Sequence, residues 1–348
     1  MTTIYPLSQL GWSTFFQQQL SLDECSDYFP ARVVAQHRSR LAILCETGEH
    51  SLNIHPKMPI LTVGDWLLLD RQNDFYRALD RQTLFSRKAP GSKVAEQLIA
   101  ANVDTVLISV ALNNDFSLNR IERYLALVKA AGANALVVLT KADLCLSPDD
   151  YLQQVQALDP LLIVEVVNAL EPESLKKLAP WCMQGNTIAL LGSSGVGKST
   201  IVNSLLHSDT QITSSARAAD DKGRHTTTGR SLHLLDAGGL ILDTPGMREI
   251  QLVDCEAGLE AAFSDVERLA MNCRYSDCQH NNEPDCAVQL ALSQGLIDQR
   301  RLNNYLKLSR EQERNSATLA EKRSKERSQS RYYRSVQEGS RQRKKGLK

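Results

Sequence analysis

Residues Gly192-Ser193-Ser194-Gly195-Val196-Gly197-Lys198-Ser199 carry the spacing of a phosphate-binding loop, G-x-x-x-x-G-K-[ST]. An apolar run, Thr187–Leu191, precedes the loop, and a helical pattern, Ser199–Leu206, follows it. Glycines there let backbone N–H groups wrap phosphates, and the N-terminus of the following helix adds partial positive charge. Lys198 is expected to reach the β- and γ-phosphates and to act in catalysis. Ser199 is expected to ligate Mg²⁺, and Thr200 follows it in the same phosphate-binding set. An ordinary Gly-rich turn has no reason to hold all of these positions at once.

Two more stretches complete a nucleotide constellation. Asp243-Thr244-Pro245-Gly246 follows an apolar run, Gly239–Leu242. An acid at that point can hold Mg²⁺ through water, and the Gly246 N–H can meet the γ-phosphate. Between it and the loop lies Gly223-Arg-His-Thr-Thr-Thr-Gly229, polar and flanked by glycines, which suits a switch segment. One of Thr226 to Thr228, with Thr227 in the middle, is expected to complete the Mg²⁺ shell.

Thr140-Lys141-Ala142-Asp143 follows the apolar run Ala135–Leu139. A carboxylate at Asp143 can accept hydrogen bonds from guanine N1–H and the exocyclic amine, with the Lys141 stem over the base. Adenine lacks that pair of donors and would leave the acid unpaired. GTP and GDP are therefore the expected ligands, and an ATPase is disfavoured. The order is unusual: the guanine-reading turn precedes the phosphate loop, as in a circularly permuted GTPase. Domain termini lie at surfaces, so such a reconnection can keep the sheet.

Cys273, Cys278, His280 and Cys286 lie within 14 residues and supply three thiolates and an imidazole. That is a closed Cys₃His set for one structural Zn²⁺. Their neighbours are polar, which argues against a buried core segment. The other cysteines (Cys25, Cys45, Cys145, Cys182, Cys255) are scattered, with Cys182 and Cys255 read as core thiols.

The elements that must position these groups fall into blocks. Ala31–Val34, Leu41–Leu44, His50–Ile54 and Val63–Leu69 read as short strands of a small antiparallel barrel or sheet. Thr105–Val110, Ala135–Leu139, Leu161–Val167, Thr187–Leu191 and Gly239–Leu242 alternate with helical stretches and predict a parallel sheet. Residues 256–310 read as helical around the cysteines. The boundaries are 1–86, a 87–97 linker, 98–254, 255–310 and a basic tail, 311–348, helical or disordered. Residues 300–348 hold 16 Lys and Arg against 5 Asp and Glu; the rest hold 24 against 35. A basic tail on an acidic body predicts a polyanionic partner. The start lacks a secretory pattern and no run approaches the ~20 apolar residues of a membrane span, so a cytoplasmic protein without membrane contact is expected.

With these motifs in this order the chain resembles the RsgA family, circularly permuted GTPases of small ribosomal subunit biogenesis. The resemblance spans about Ala31 to Leu308 and includes Val63-Gly64-Asp65, His225-Thr-Thr-Thr228 and Cys286-Ala-Val288. It implies an N-terminal OB-fold, a permuted P-loop GTPase domain and a C-terminal helical zinc-binding domain. It also implies binding to the small subunit and its rRNA, with GTP hydrolysis stimulated by that subunit. A monomer is expected. The competing reading is an rRNA-binding assembly factor that uses GTP only as a slow or vestigial switch; intact Lys198, Ser199 and Asp243 favour the enzyme.

Departures from the family pattern are specific. Position 140 is Thr where Asn is usual, which predicts fewer contacts to base and loop. The second guanine-contacting pair, usually Ser-Ala, is Asn168-Ala169. Met247 follows Gly246, so no Gln stands there to orient water, and His225 is the candidate for that task.

Overall fold

The structure is a computed structural model and describes residues 5–88, 96–206, 230–243, 255–281 and 283–316. Its strands are β1 (Phe29–Gln36), β2 (Arg40–Cys45), β3 (Gly48–Asn53), β4 (Trp66–Leu69), β5 (Phe75–Ala78), β6 (Leu84–Lys88) and β7 (Glu96–Ala101). They continue as β8 (Thr105–Ala111), β9 (Asn134–Thr140), β10 (Ile163–Val166), β11 (Thr187–Leu191), β12 (Arg230–Leu234) and β13 (Leu240–Asp243). The helices are α1 (Thr14–Gln17), α2 (Leu22–Asp27), α3 (Leu118–Ala130), α4 (Pro148–Gln156), α5 (Pro172–Leu175) and α6 (Lys198–Leu205). Four more follow: α7 (Glu256–Ala262), α8 (Ser264–Ala270), α9 (Ala287–Ser293) and α10 (Gln299–Ser316).

Strand order in the main sheet is β10-β9-β8-β11-β13-β12-β1-β2-β3, with β4 and β5 added through β1. The β10, β9, β8, β11 and β13 strands are mutually parallel. Every residue of β8 is buried, as a strand covered on both faces requires. Alternation sorts the two faces. Val106, Ile108, Val137, Leu139, Ala189 and Leu191 join the core that α3 completes with Ile121 and Leu125. Leu107, Leu136, Val138, Ile188 and Leu190 point the other way, onto Ile201 and Val202 of α6. Helices on both faces of this parallel part of the sheet are the doubly wound arrangement.

The same period of two divides the N-terminal strands. Ala31, Val33, Leu41, Ile43, Leu67 and Leu69 close a small core of their own, while Val34, Leu44, Trp66 and Leu68 face the main one. Along one edge, β1 pairs β4 over Phe29–Arg32 and β12 over Ala35–Gln36. The N-terminal strands and the nucleotide-type sheet are thus joined by hydrogen bonds rather than by a linker alone. Gly64 sits at the junction with φ +94, where a Cβ would lie 1.9 Å from the Ala101 carbonyl oxygen. Only glycine allows that approach.

Observed strands keep the expected places with small shifts: Leu161–Val167 shortens to Ile163–Val166, and Val63-Gly64 belongs to the turn before β4. The stretch expected as a linker carries paired strand ends, Arg87 opposite Gln97 and Lys88 opposite Glu96. Helix α10 runs to Ser316, beyond the expected boundary at 310, and residues 317–348 lie outside the described residues. The amphipathic stretch at Trp12–Leu20 lays Trp12 and Phe16 against Trp66, with ring centroids 4.9 and 5.7 Å away. Among the described residues no helix is long and apolar enough to cross a membrane.

Candidate functional site

Strands β9 and β11 flank β8, so the loops leaving their C-terminal ends emerge side by side, ~10 Å apart at two inter-strand spacings. One is the phosphate-loop sequence and the other the guanine-reading turn. Crevices at the C-terminal ends of parallel strands are where such sheets bind ligands. The permuted chain order leaves this pairing intact, because it depends on strand neighbours and not on their sequence.

The loop after β11 owes its path to its glycines. Gly192 adopts φ +148, and a Cβ there would lie 2.3 Å from the Ser109 carbonyl oxygen of β8. Gly195 and Gly197 also take positive φ. Val196 is buried and anchors the loop, while Ser194 and Gly195 are exposed at its crest. Lys198 opens α6 and is only 8% exposed. Its ammonium donates to the Gly192 carbonyl at 2.6 Å and to that of Ser193, so it lies folded over its own loop. Ser199 and Thr200 occupy the first turn of α6, half-buried.

Thr140 ends β9 fully buried. Its hydroxyl donates to the Val196 carbonyl at 2.6 Å, tying the guanine-reading turn to the phosphate loop. Lys141 then takes a left-handed conformation, φ 59, which turns the chain sharply into the 3₁₀ turn Ala142–Leu144. Asp143 stands exposed in that turn. The next strand supports it: Ala142 N–H donates to the Val167 carbonyl, and Val167 N–H to that of Leu139. Asn168 and Ala169 follow directly, with Asn168 Oδ1 accepting from Leu170 N–H. The candidate second guanine-contacting pair therefore borders the first turn.

Asp243 closes β13, two strands from β8 and beside β11, opposite Ser231 of β12. His225, Thr226, Thr227, Thr228 and Gly246 lie outside the described residues.

Two residues beside the loop had no sequence signal. Arg120, in the first turn of α3, donates to the Ser193 hydroxyl at 2.8 Å and to Asp115 at 2.6 Å. That hydrogen bond holds the Asp115 carboxyl below its ordinary value. A lone Arg in an amphipathic helix reads as a solvated charge, so only the fold reveals the contact.

The cysteine cluster assembles as its spacing predicts. The ligand atoms of Cys273, Cys278, His280 and Cys286 all lie within 4.8 Å of one another. Cys273 and Cys286 sulfurs are 3.9 Å apart, and each is 3.6 Å from His280 Nδ1. A tetrahedral ion with bonds of about 2.0–2.3 Å requires edges close to these. Burial keeps the imidazole pKa below its ordinary value, favouring the neutral form that binds metal. Left-handed backbone at His280 and Asp285 folds the loop inward, and Gln289 of α9 donates to the His280 carbonyl at 2.5 Å. Cys182 and Cys255 are buried core thiols.

Comparison with known proteins agrees with this geometry. The family model described as RsgA GTPase matches residues 78–253. Small ribosomal subunit biogenesis GTPase RsgA 2 of Vibrio parahaemolyticus is 57% identical over 343 residues, covering 99% of this chain and 96% of that protein. The crystal structure of YjeQ from Thermotoga maritima superposes with a TM-score of 0.60 at 25% identity, over 81% of this chain and 97% of that one. YloQ, described as a circularly permuted GTPase, gives 0.58 at 22% identity, over 84% and 97%.

Proposed function

Because the chain belongs to the RsgA GTPase family and is a GTP hydrolase, we propose that it acts in the cytoplasm as a monomer on the maturing small ribosomal subunit, and that docking there stimulates its hydrolysis of GTP. The carrying observation is the hydrogen bond from Thr140 to Val196, which joins the two loops leaving the strands on either side of β8 and supports reading them as one nucleotide cradle. The 57% identity to a relative named for small ribosomal subunit biogenesis supports the partner.

In this reading Asp143 selects guanine, with Lys141 packed on the base. The amides of Gly192 to Thr200 surround the phosphates, and Lys198 leaves its loop carbonyls to neutralise charge on the β- and γ-phosphates. Ser199, Asp243 through water and one of Thr226 to Thr228 would hold Mg²⁺, which when bound neutralises phosphate charge. His225 positions the attacking water in the docked state, and Gly246 N–H meets the γ-phosphate. Cys273, Cys278, His280 and Cys286 would hold one structural Zn²⁺ per chain; their closed donor set leaves no open position for chemistry. The N-terminal strand unit, as an OB-fold, and the basic residues up to Lys348 supply rRNA contact, with a salt dependence set by phosphate neutralisation.

The test is GTP turnover with and without purified small subunits. Stimulation by orders of magnitude is expected for the unmodified protein. Lys198→Ala abolishes turnover and weakens nucleotide binding, whereas His225→Ala binds GTP normally but loses the stimulated rate. Equal turnover with and without subunits would overturn the docking mechanism.

A further inference from the structure

The phosphate loop is gripped by a helix that no nucleotide motif includes. Its second residue, Ser193, is held from two sides. Lys198 donates to its carbonyl, and Arg120 donates to its hydroxyl at 2.8 Å. Arg120 is itself steadied by Asp115, whose Oδ2 accepts at 2.6 Å and whose carbonyl accepts at 3.3 Å. The Arg120 side chain is 35% exposed, so it is partly shielded from water.

The turn that presents Arg120 is clamped from its other side. Asn119 and Glu122 flank it in sequence. Arg300 of α10 donates to Asn119 Oδ1 at 2.6 Å and to both Glu122 oxygens, at 2.9 and 3.0 Å. Arg301 donates to Glu122 at 2.8 Å, and Asn304 to Glu122 at 2.5 Å and to the Asn119 carbonyl at 3.2 Å. Glu122 is fully buried. A buried carboxylate with this many donors has one low-energy placement, because losing a partner leaves charge uncompensated. The first turn of α3 is therefore fixed relative to α10 with little play.

Taking the loop as the phosphate cradle, we propose that Arg120 is a positioning residue of the nucleotide site and that helix α10 sets its place. Arg120 holds Ser193 so that the loop amides keep the orientation that bound phosphates need. The proposal deepens the GTPase reading and rests on it. It also links the cysteine-bearing helical region to nucleotide retention, through residues that touch neither nucleotide nor metal.

The experiment measures dissociation of fluorescent GDP and GTP from the full chain, together with the thermal midpoint of the nucleotide-free chain. Arg120→Gln speeds dissociation about tenfold, the scale of one charge-assisted hydrogen bond. Arg120→Lys, which keeps a charged donor, recovers part of the loss. Ser193→Ala matches Arg120→Gln, and the double variant is no faster than either alone. Arg300→Gln, remote from the loop, speeds dissociation about threefold, a partial loss of the same scale. Unchanged dissociation in Arg120→Gln, additive effects with Ser193→Ala, or a lowered nucleotide-free midpoint that accounts for the change overturns the positioning role. Unchanged dissociation in Arg300→Gln overturns the part played by α10. If the unmodified chain retains neither nucleotide, the GTPase reading itself fails instead.

Discussion

The Thr140 hydroxyl donates to the Val196 carbonyl at 2.6 Å and lies 3.3 Å from that of Val110, joining the ends of β8 and β9 to the phosphate loop at one buried point. Asn is usual at this position in the family that the chain belongs to, and a loss of contact to the loop is the natural expectation for Thr. The shorter side chain makes the loop contact all the same, because β9 delivers it directly beneath Val196. What it cannot do is reach further toward a base as well.

That geometry predicts different outcomes for two small changes, one isosteric and one that keeps the hydroxyl. Thr140→Val keeps the shape, removes the donor and leaves a buried carbonyl unpaired; GTP affinity should fall about tenfold. Thr140→Ser keeps the donor and should stay within about threefold of the unmodified protein, a fraction of that hydrogen bond. Equilibrium titration with GDP and GTP decides between them, and equal affinities for the Val and Ser variants would remove the tie from the account.

Under the proposed function, guanine selectivity falls to Asp143, which is exposed in the turn after β9. Asp143→Asn should weaken GTP binding and favour the xanthine nucleotide, whose O2 can accept from the new amide. Competition binding reads this directly; comparable affinity of the unmodified protein for ATP and GTP would defeat the assignment.

Metal content offers a separate check. One zinc per chain should co-purify, and Cys278→Ala should release it and destabilise the segment around 273–293, since metal binding there is coupled to folding. Nucleotide binding should survive in that variant, because its ligands come from other loops. Metal analysis with hydrogen exchange would show whether both halves hold.

Acid should loosen the packing of α8 against α10, which Arg301 joins through Asp265. Burial pushes the Asp265 carboxyl up, but the hydrogen bonds and charge of Arg301 outweigh this and leave it below its ordinary value. A carboxyl whose folded pKa is depressed contributes stability that is complete above its ordinary value, about 3.9, and is lost as pH falls through the folded one. Unfolding midpoints of the unmodified protein and Asp265→Asn should therefore differ at neutral pH and converge as pH falls below the ordinary carboxyl range. Parallel curves would assign the acid sensitivity elsewhere.

Sequence by itself determined whatever depends on neighbours along the chain. The loop from Gly192 to Ser199, the turn from Thr140 to Asp143 and the cysteine cluster are each contiguous, so their residue types and spacing state their chemistry before any fold exists. The short apolar runs of β1, β2, β4, β8 and β9 were legible for the same reason, since such a run is a local property, whereas which face each residue takes was not. Element ends were less so. Arg87 and Gln97 pair across a hairpin where composition suggested only a linker, because pairing is chosen by a partner strand.

Tertiary structure alone decided which distant residues meet. Arg120 and Ser193 are 73 positions apart, and Glu122 and Arg301 are 179 apart. Nothing in an amphipathic helix distinguishes a charge bound for water from one bound for a phosphate loop. The pairing of β1 with β12, which joins the N-terminal strands to the nucleotide sheet, is equally invisible in either segment. Such contacts arise because both partners are carried into place by a core that neither of them forms, so their specificity resides in the packing and not in the local pattern.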